Sequence, residues 1–204
     1  MTYDCELVTN KNSSNSRRAF TLIEMMMVIS MFSVIMGIVY AALRTNDVYN
    51  GLIQIQVDLY RQNQRALSSI SEELKKSNLA TRVTIQDGAG VNNTDIIYFQ
   101  LPIGLDNNYN IIWGADGTNN YYARYRLDAT AAFLLRDILA AGLTPAAGTG
   151  QQKAYRIIDL QFADSALDAS VPSGSIRITS TAQRQSPDKH NITLSNSALV
   201  YLEN

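Results

Sequence analysis

The residues best suited to chemistry lie near the N-terminus, where the chain has the features of a cleavage site. Arg17 and Arg18 are followed by the small residue Ala19, the aromatic Phe20 and a long apolar run. A cut after Ala19 would leave the apolar run attached to the mature chain. An ordinary secretory signal is cut after its apolar stretch instead, where this chain offers only a charged context.

A carboxylate, Glu24, stands at the start of the apolar run. A charged side chain inside a bilayer costs about 2.5–3.5 kcal/mol on insertion scales, so something must offset this cost. Between Met25 and Leu43 lie nineteen uncharged residues, which as a helix span about 28 Å, close to the thickness of a hydrocarbon core. The segment predicts one membrane crossing, and the basic residues ahead of it place everything after Arg44 outside the cytoplasm.

The string RRAFTLIE, Arg17–Glu24, resembles the processing site of the type IV prepilin family, which includes type IV pilins and type II secretion pseudopilins. The resemblance implies that a prepilin peptidase cuts between Ala19 and Phe20 and N-methylates Phe20. Glycine usually precedes the cut in that family, and alanine keeps the site small. The resemblance also implies an assembly role for Glu24, whose carboxylate would pair with the cationic amine of Phe20 on a neighbouring subunit. The alternative is that Glu24 reaches the headgroups at the start of an ordinary anchor.

The same resemblance implies a set of partners and no cofactor. The partners would be prepilin peptidase, other pilin or pseudopilin subunits, an assembly platform protein and the lipid of the inner membrane. Before it joins a filament, the chain would be a single-pass protein of the inner membrane with its C-terminal domain outside the cytoplasm.

Composition argues against several classes of function. The formal net charge is −1 at pH 7, and cleavage after Ala19 would leave more acidic than basic residues, so nucleic acid is not expected as a partner. Cys5 and His190 are the only residues of their types, and they provide neither an internal disulfide nor a zinc site. The sequence has no nucleophile elbow and no phosphate-binding loop, and we predict that the protein is not an enzyme.

Three further clusters have structural explanations that we favour over functional ones. Asp106–Asn108 and Asp116–Asn120 offer oxygen ligands for calcium, but these residue types are also common in turns. The consecutive methionines Met25–Met27 point in different directions around a helix, which favours apolar packing over a metal site. Tyr121–Arg126, with three tyrosines and two arginines, could stack on single-stranded DNA but is also typical of a half-buried strand.

Beyond the membrane segment, an apolar stripe predicts that one helix continues through residues 44–79 and stops near Asn78. The stripe residues recur at spacings of three, four or seven and are Val48, Leu52, Ile55, Leu59, Ala66, Ile70 and Leu74. The simplest role of this stripe is packing on a sheet. The alternative is a partner-binding face, for which Val48, Leu52 and Ile55 are the candidates because they precede the part that a sheet of modest length can reach.

After Asn78, short β-rich runs alternate with turn signals and predict an antiparallel sheet. The predicted strands are Arg82–Gln86, Asp95–Leu101, Asn110–Trp113, Tyr121–Leu127, Tyr155–Phe162, Ser175–Ala182 and Ile192–Glu203. Ala129–Gly142 fits either a short helix or a strand with a loop. The expected fold class is α+β and pilin-like, with a leader at 1–19, the transmembrane half of a helix at 20–43, its outer half at 44–79 and a β-rich domain at 80–204.

These features favour a minor pseudopilin or pilin, built into the tip or body of a filament. The segments YRIIDLQF and LVYLEN are similar to J-type minor pseudopilins and W-type minor pilins, and the mature chain would be large for a principal subunit. Two alternatives stay open: a DNA-uptake or adhesion module on the same scaffold, and an unprocessed single-pass protein that acts alone. Both a type II secretion system and a type IV pilus are compatible with the sequence.

Overall fold

The computed structural model of the chain describes residues 20–77, 82–115, 122–128, 133–186 and 188–202. They fall into two compact units, the first ending at Val48 and the second beginning at Tyr49. One helix, α1, spans Leu22–Ser77 and contributes to both units. The predicted helix is therefore confirmed up to Ser77, while the predicted stop at Asn78 lies outside the described residues.

The rest of the described chain is mainly β-structure. Its strands are β1 Val83–Gln86, β2 Ile96–Phe99, β3 Pro102–Leu105, β4 Ile111–Trp113, β5 Ala123–Leu127, β6 Phe133–Ala140, β7 Thr144–Pro145, β8 Gln151–Tyr155, β9 Ile157–Ala163, β10 Ser175–Gln185 and β11 Asn191–Tyr201. The pairings between them are antiparallel, as predicted. The architecture is α+β, with a long helix packed against antiparallel sheets.

The strands do not form the single sheet that the sequence predicted. One sheet has the order β1–β2–β5–β6–β7, with β8 also paired to β6, and a second has the order β11–β10–β9. Strands β3 and β4 form a separate hairpin. Within Ala129–Gly142, which could have been helix or strand, residues 133–140 form β6 and Ala141–Leu143 form a 3₁₀ turn.

The part of α1 in the second unit packs on both larger sheets through the predicted stripe. Leu59, Ala66, Ile70 and Leu74 are completely buried. They share one core with buried strand residues, among them Ile97, Phe99, Tyr125, Leu134, Ile157, Leu160 and Ile178. Complete burial of a large aliphatic side chain contributes about 1.5–3 kcal/mol relative to exposure, so this stripe is a main source of stability.

Polar side chains inside the same core fix the position of α1 on the three-stranded sheet. Asn63 is completely buried; its Nδ2 donates to the carbonyl of Leu194 at 2.6 Å, and its Oδ1 accepts from the Ser180 hydroxyl at 2.9 Å. These bonds reach β11 and β10 from one helical residue. A buried amide left without partners would cost about 1–3 kcal/mol, so the bonds select one rotation of the helix against the sheet.

Candidate functional site

The predicted cleavage site adjoins the start of α1. Phe20 is 76% exposed, and the helix begins two residues later at Leu22. The amide of Met25 donates to the carbonyl of Thr21 at 3.2 Å, which makes Thr21 the N-cap residue and leaves Phe20 outside the helix. Ala19 lies outside the described residues.

Glu24 and Thr21 form a capping box at this helix start. The amide and hydroxyl of Thr21 donate to Glu24 Oε2 at 2.9 and 3.1 Å, and the Glu24 amide donates to Thr21 Oγ1 at 3.3 Å. These bonds satisfy donors that have no partner within the helix, and the carboxylate lies at the positive end of the helix dipole. The capping role was missed at the sequence level, although a threonine three residues before a glutamate is its usual signal.

The capping box changes the explanation of the carboxylate in the apolar run. A single subunit already offers Glu24 polar partners, so part of the burial cost is offset before any neighbour is present. Both bonds from Thr21 end at Oε2. Because an ionised carboxylate has about four acceptor positions, Oε1 can accept from a further cation.

The helix surface that follows Glu24 is apolar and exposed. A window of 18 residues in α1 has a mean hydropathy of 2.3, and none of it is buried within the described chain. By length and composition, α1 can therefore cross a membrane. Met25, Met26 and Met27 are each at least half exposed and lie on different sides of the helix. A helix that is apolar all round belongs among lipids or other apolar helices.

The three candidates for partner binding differ in their exposure. Val48 is 45% exposed and Leu52 is half-buried, whereas Ile55 is only 5% exposed and belongs to the core. The prediction for Ile55 is corrected, because the sheets cover the helix further towards its N-terminal end than its stripe suggested. Beyond Val48, the exposed large apolar residues of α1 lie on a neighbouring face of the helix and are Tyr49, Ile53, Val57 and Tyr60.

The strand with interleaved tyrosines and arginines is accounted for by packing. Arg124 and Arg126 donate through Nε to the same oxygen of buried Asp137, at 2.9 and 2.8 Å. Tyr125 is completely buried and stacks on Phe99, with ring centroids 5.8 Å apart. Burial raises the pKa of Tyr125 far above its usual value. Tyr121 lies outside the described residues, and the described part of this strand is a half-buried strand of a sheet.

The first candidate calcium cluster is a hydrogen-bonded turn. Asp106 Oδ1 accepts from the amides of Asn108 and Asn110, each at 2.8 Å, and Oδ2 accepts from Asn110 Nδ2 at 3.0 Å. The side-chain bond from Asn110, followed by its backbone bond, holds the pKa of Asp106 below its usual value. These bonds account for the residue types without a metal, and Asp116–Asn120 lies outside the described residues.

A buried carboxylate that the sequence analysis did not single out joins the two larger sheets. Asp95, just before β2, is 1% exposed. Its Oδ1 accepts from the Gly88 amide at 2.9 Å and its Oδ2 from the Phe162 amide at 2.6 Å. Its own amide donates to the carbonyl of Leu160 at 2.9 Å. Burial raises the pKa of Asp95 above 3.8, against the lowering effect of the two accepted bonds.

We expect Asp95→Asn to lower the free energy of unfolding by about 1–3 kcal/mol. The asparagine side chain has one oxygen, whereas the backbone N–H groups of Gly88 and Phe162 donate to the two separate oxygens of Asp95. The substitution should also remove a pH dependence. With a raised pKa in the folded state, the contribution of Asp95 is fully present below its unfolded pKa and is lost as the pH rises through the folded pKa. In thermal melts, the difference in stability between wild type and variant should therefore shrink as the pH rises through the folded-state pKa of Asp95.

Asp106→Asn is the matched control for this experiment. Its lowered pKa gives the opposite sign, because that contribution is present above the unfolded pKa and is lost as the pH falls through the folded value. If both variants shifted the pH profile in the same direction, the assignment for Asp95 would be wrong.

The N-terminal segment also matches a known family. Residues 14–40 match the family model described as the prokaryotic N-terminal methylation motif. No curated protein and no solved structure matches the chain. The matched range contains the string RRAFTLIE and most of the exposed apolar surface of α1, and it confirms the resemblance to type IV prepilins and pseudopilins. The N-terminal segment of this chain is therefore similar to that of type IV pilin-like proteins.

Proposed function

We propose that the protein is a minor pseudopilin or minor pilin, a structural subunit of a filament and not an enzyme. The observation that carries the proposal is the methylation motif at residues 14–40, which continues into an apolar helical surface that nothing in the described chain covers. A surface of this kind needs lipid before assembly and other apolar helices after it. The similarity of YRIIDLQF and LVYLEN to J-type and W-type subunits supports a minor role.

The proposed sequence of events starts in the inner membrane. Residues 1–19 form a leader that prepilin peptidase removes, and the same enzyme methylates the new amine of Phe20. Phe20–Leu43 crosses the membrane once, with the β-rich domain outside the cytoplasm. An assembly platform protein then moves the subunit into a type II secretion pseudopilus or a type IV pilus.

Glu24 would act at the assembly step. The carboxylate accepts from Thr21 through Oε2, and Oε1 would accept the methylated amine of Phe20 from a neighbouring subunit. The pairing neutralises two charges that would otherwise be buried separately, which is costly in an apolar surrounding. The pairing would also fix how far neighbouring helices are shifted along their axes, because only one such shift brings the Phe20 amine to the Glu24 carboxylate.

The processing step is tested by the intact mass of the chain from membranes of cells that contain prepilin peptidase. We expect loss of residues 1–19 and one added methyl group on Phe20. Ala19→Gly should be processed at least as well, because glycine is usual in the family, whereas Ala19→Leu should accumulate uncleaved because the site no longer has a small residue. A wild-type chain that keeps residues 1–19, in cells that cleave another prepilin, would refute the proposal.

A further inference from the structure

Strand β11 forms an open edge of the three-stranded sheet. It pairs with β10 along its whole length, Asn191–Tyr201, in a continuous register, and with no other strand in the part of the chain that the structure describes. Proteins usually protect a long edge with charged residues, a proline or a bulge. The sequence of β11, NITLSNSALVY, has no charged residue and no proline, and its register is free of bulges.

Every second residue of β11 directs its backbone N–H and C=O towards this open edge. The amide of Gln183 in β10 donates to the carbonyl of Arg156, on the β9 side of β10. Gln183 lies opposite Thr193 of β11. Because the Gln183 amide points away from β11, the two residues form a pair that exchanges no backbone hydrogen bonds. The backbone N–H and C=O of Thr193 therefore point away from β10, towards the open edge. Because the pattern alternates along an antiparallel strand, those of Ser195 and Ser197 also point outward.

An apolar groove of about 570 Å³ lies beside the same edge. Val57 and Tyr60 of α1 line one side of it, and Ile192 and Leu194 of β11 line the other. Val57 is 43% exposed and Tyr60 is 52% exposed. Since neighbouring strands lie about 4.7–4.9 Å apart, a strand added to β11 would place its alternate side chains over this groove.

Arg61 gives the groove a positive charge. It is the one charged residue among those that line the groove, its side chain is exposed, and it forms no ion pair within the described ranges. By contrast, nearby Asp58 is already paired with Arg156 and Arg184. A ligand at this edge would therefore be favoured by a carboxylate near Arg61.

We propose that β11 binds an extended segment of another protein as an additional strand, with apolar side chains over the groove and a carboxylate facing Arg61. The free backbone groups require an extended partner, and the groove lining selects apolar side chains at alternate positions. A second copy of β11 fits less well, because that strand has no acidic residue for Arg61. The inference goes beyond the proposed function, since it concerns the second unit alone and does not depend on processing or filament assembly.

The binding experiment uses the full chain in detergent micelles and a fluorescent peptide with the sequence TVTETVT. We expect saturable binding by fluorescence anisotropy and about tenfold weaker binding of TVTKTVT, in which lysine replaces the glutamate. The first peptide with N-methylated amides should not bind, because it cannot form the strand hydrogen bonds. Absence of saturable binding up to about 1 mM, or equal binding of the N-methylated peptide, would overturn the proposal.

Two variants locate the site. Ser197→Pro removes one outward N–H and leaves the bonds to β10 in place, since proline is tolerated at such edge positions. It should melt like the wild type and bind TVTETVT about tenfold more weakly, whereas the matched control Ser197→Ala keeps the N–H and should bind normally. Arg61→Glu should reverse the preference between the two peptides.

These outcomes also separate the proposal from its alternatives. If Ser197→Pro does not fold, the reversal by Arg61→Glu still decides whether the groove is the site. Normal binding by a folded Ser197→Pro chain, or an unchanged preference in Arg61→Glu, would exclude β11. Self-association of the wild-type chain that Ser197→Pro abolishes would assign the edge to a second copy and contradict the proposed heterologous partner.

Discussion

Replacing Glu24 with glutamine is expected to block incorporation into filaments while leaving the chain in the membrane and the start of α1 intact. Glutamine can keep the capping box, because its side-chain oxygen still accepts from Thr21. It removes the negative charge that would neutralise the amine of Phe20 on a neighbouring subunit. Leaving a buried charge without its partner costs about 3–5 kcal/mol, so we expect a loss of incorporation of at least about a hundredfold.

Two further variants separate charge pairing from helix capping. Glu24→Leu removes both functions and also the bilayer cost of the charge, so it should insert at least as well as the wild type and still fail to assemble. Thr21→Val removes the side-chain cap but keeps the carboxylate; it should lose about 1 kcal/mol of helix stability and still assemble.

The measurement for all three variants is the amount of protein in sheared filaments or cross-linked tip complexes, divided by the amount in membranes. If Glu24→Gln assembled at the wild-type level and Thr21→Val did not, Glu24 would act only as a helix cap. That result would remove the pairing mechanism but leave the membrane anchor and the processing site unaffected.

Local signals explain which parts of the fold were predictable. The membrane segment, the stripe from Leu59 to Leu74 and strands rich in β-branched residues depend on periodicity within one stretch of chain. Strands β3, β7 and β8 were missed because they contain proline, glycine, lysine or alanine, which are less common in strands than β-branched and aromatic residues. Their pairing partners, and not their own sequences, make them strands.

No local sequence pattern indicates that the strands divide into separate sheets, and Arg156 illustrates the reason. The sequence predicted one strand over Tyr155–Phe162, but Arg156 has a φ of 63°, a left-handed conformation in which β8 ends and β9 begins. Glycine or asparagine would normally mark such a position. Here an ion pair between Arg156 and Asp58 of α1 holds the arginine side chain. This contact joins residues far apart in the chain, so no pattern around Arg156 indicates the break.

The same distinction, between local sequence signals and contacts that join distant residues, applies to the candidate site. Ala19, Phe20 and Glu24 could be proposed from one contiguous string, because the family signal is contiguous. The contact between Asp95 and the Phe162 amide joins residues that are distant in sequence, and neither segment alone indicates it. The exposure of Ile55 likewise depends on how far the sheets extend along α1, which the helix stripe cannot specify.

The largest effect on stability is expected for Ile55→Asp. Ile55 is 5% exposed and lies in the core between α1 and the sheets. Loss of a buried isoleucine costs about 2–5 kcal/mol, and a buried carboxyl group adds a further desolvation cost of a similar size. Because a domain has a total stability of about 5–15 kcal/mol, we expect the second unit to unfold or to melt far below the wild type.

Ile53→Asp is the matched control, since it introduces the same charge two residues earlier in the same helix. Ile53 is 55% exposed, so the free energy of unfolding should change by no more than about 0.5 kcal/mol.

Near-ultraviolet circular dichroism of the full chain in detergent is the suitable measurement, because it reports packing of the tyrosines in the second unit and not the helicity of the membrane segment. If Ile55→Asp kept the wild-type melt and instead abolished binding of another subunit, Ile55 would be a partner-binding residue after all. The expected contrast between the two variants would instead assign the Ile55 face of α1 to the core and leave the face of Ile53 and Val57 for contacts with other molecules.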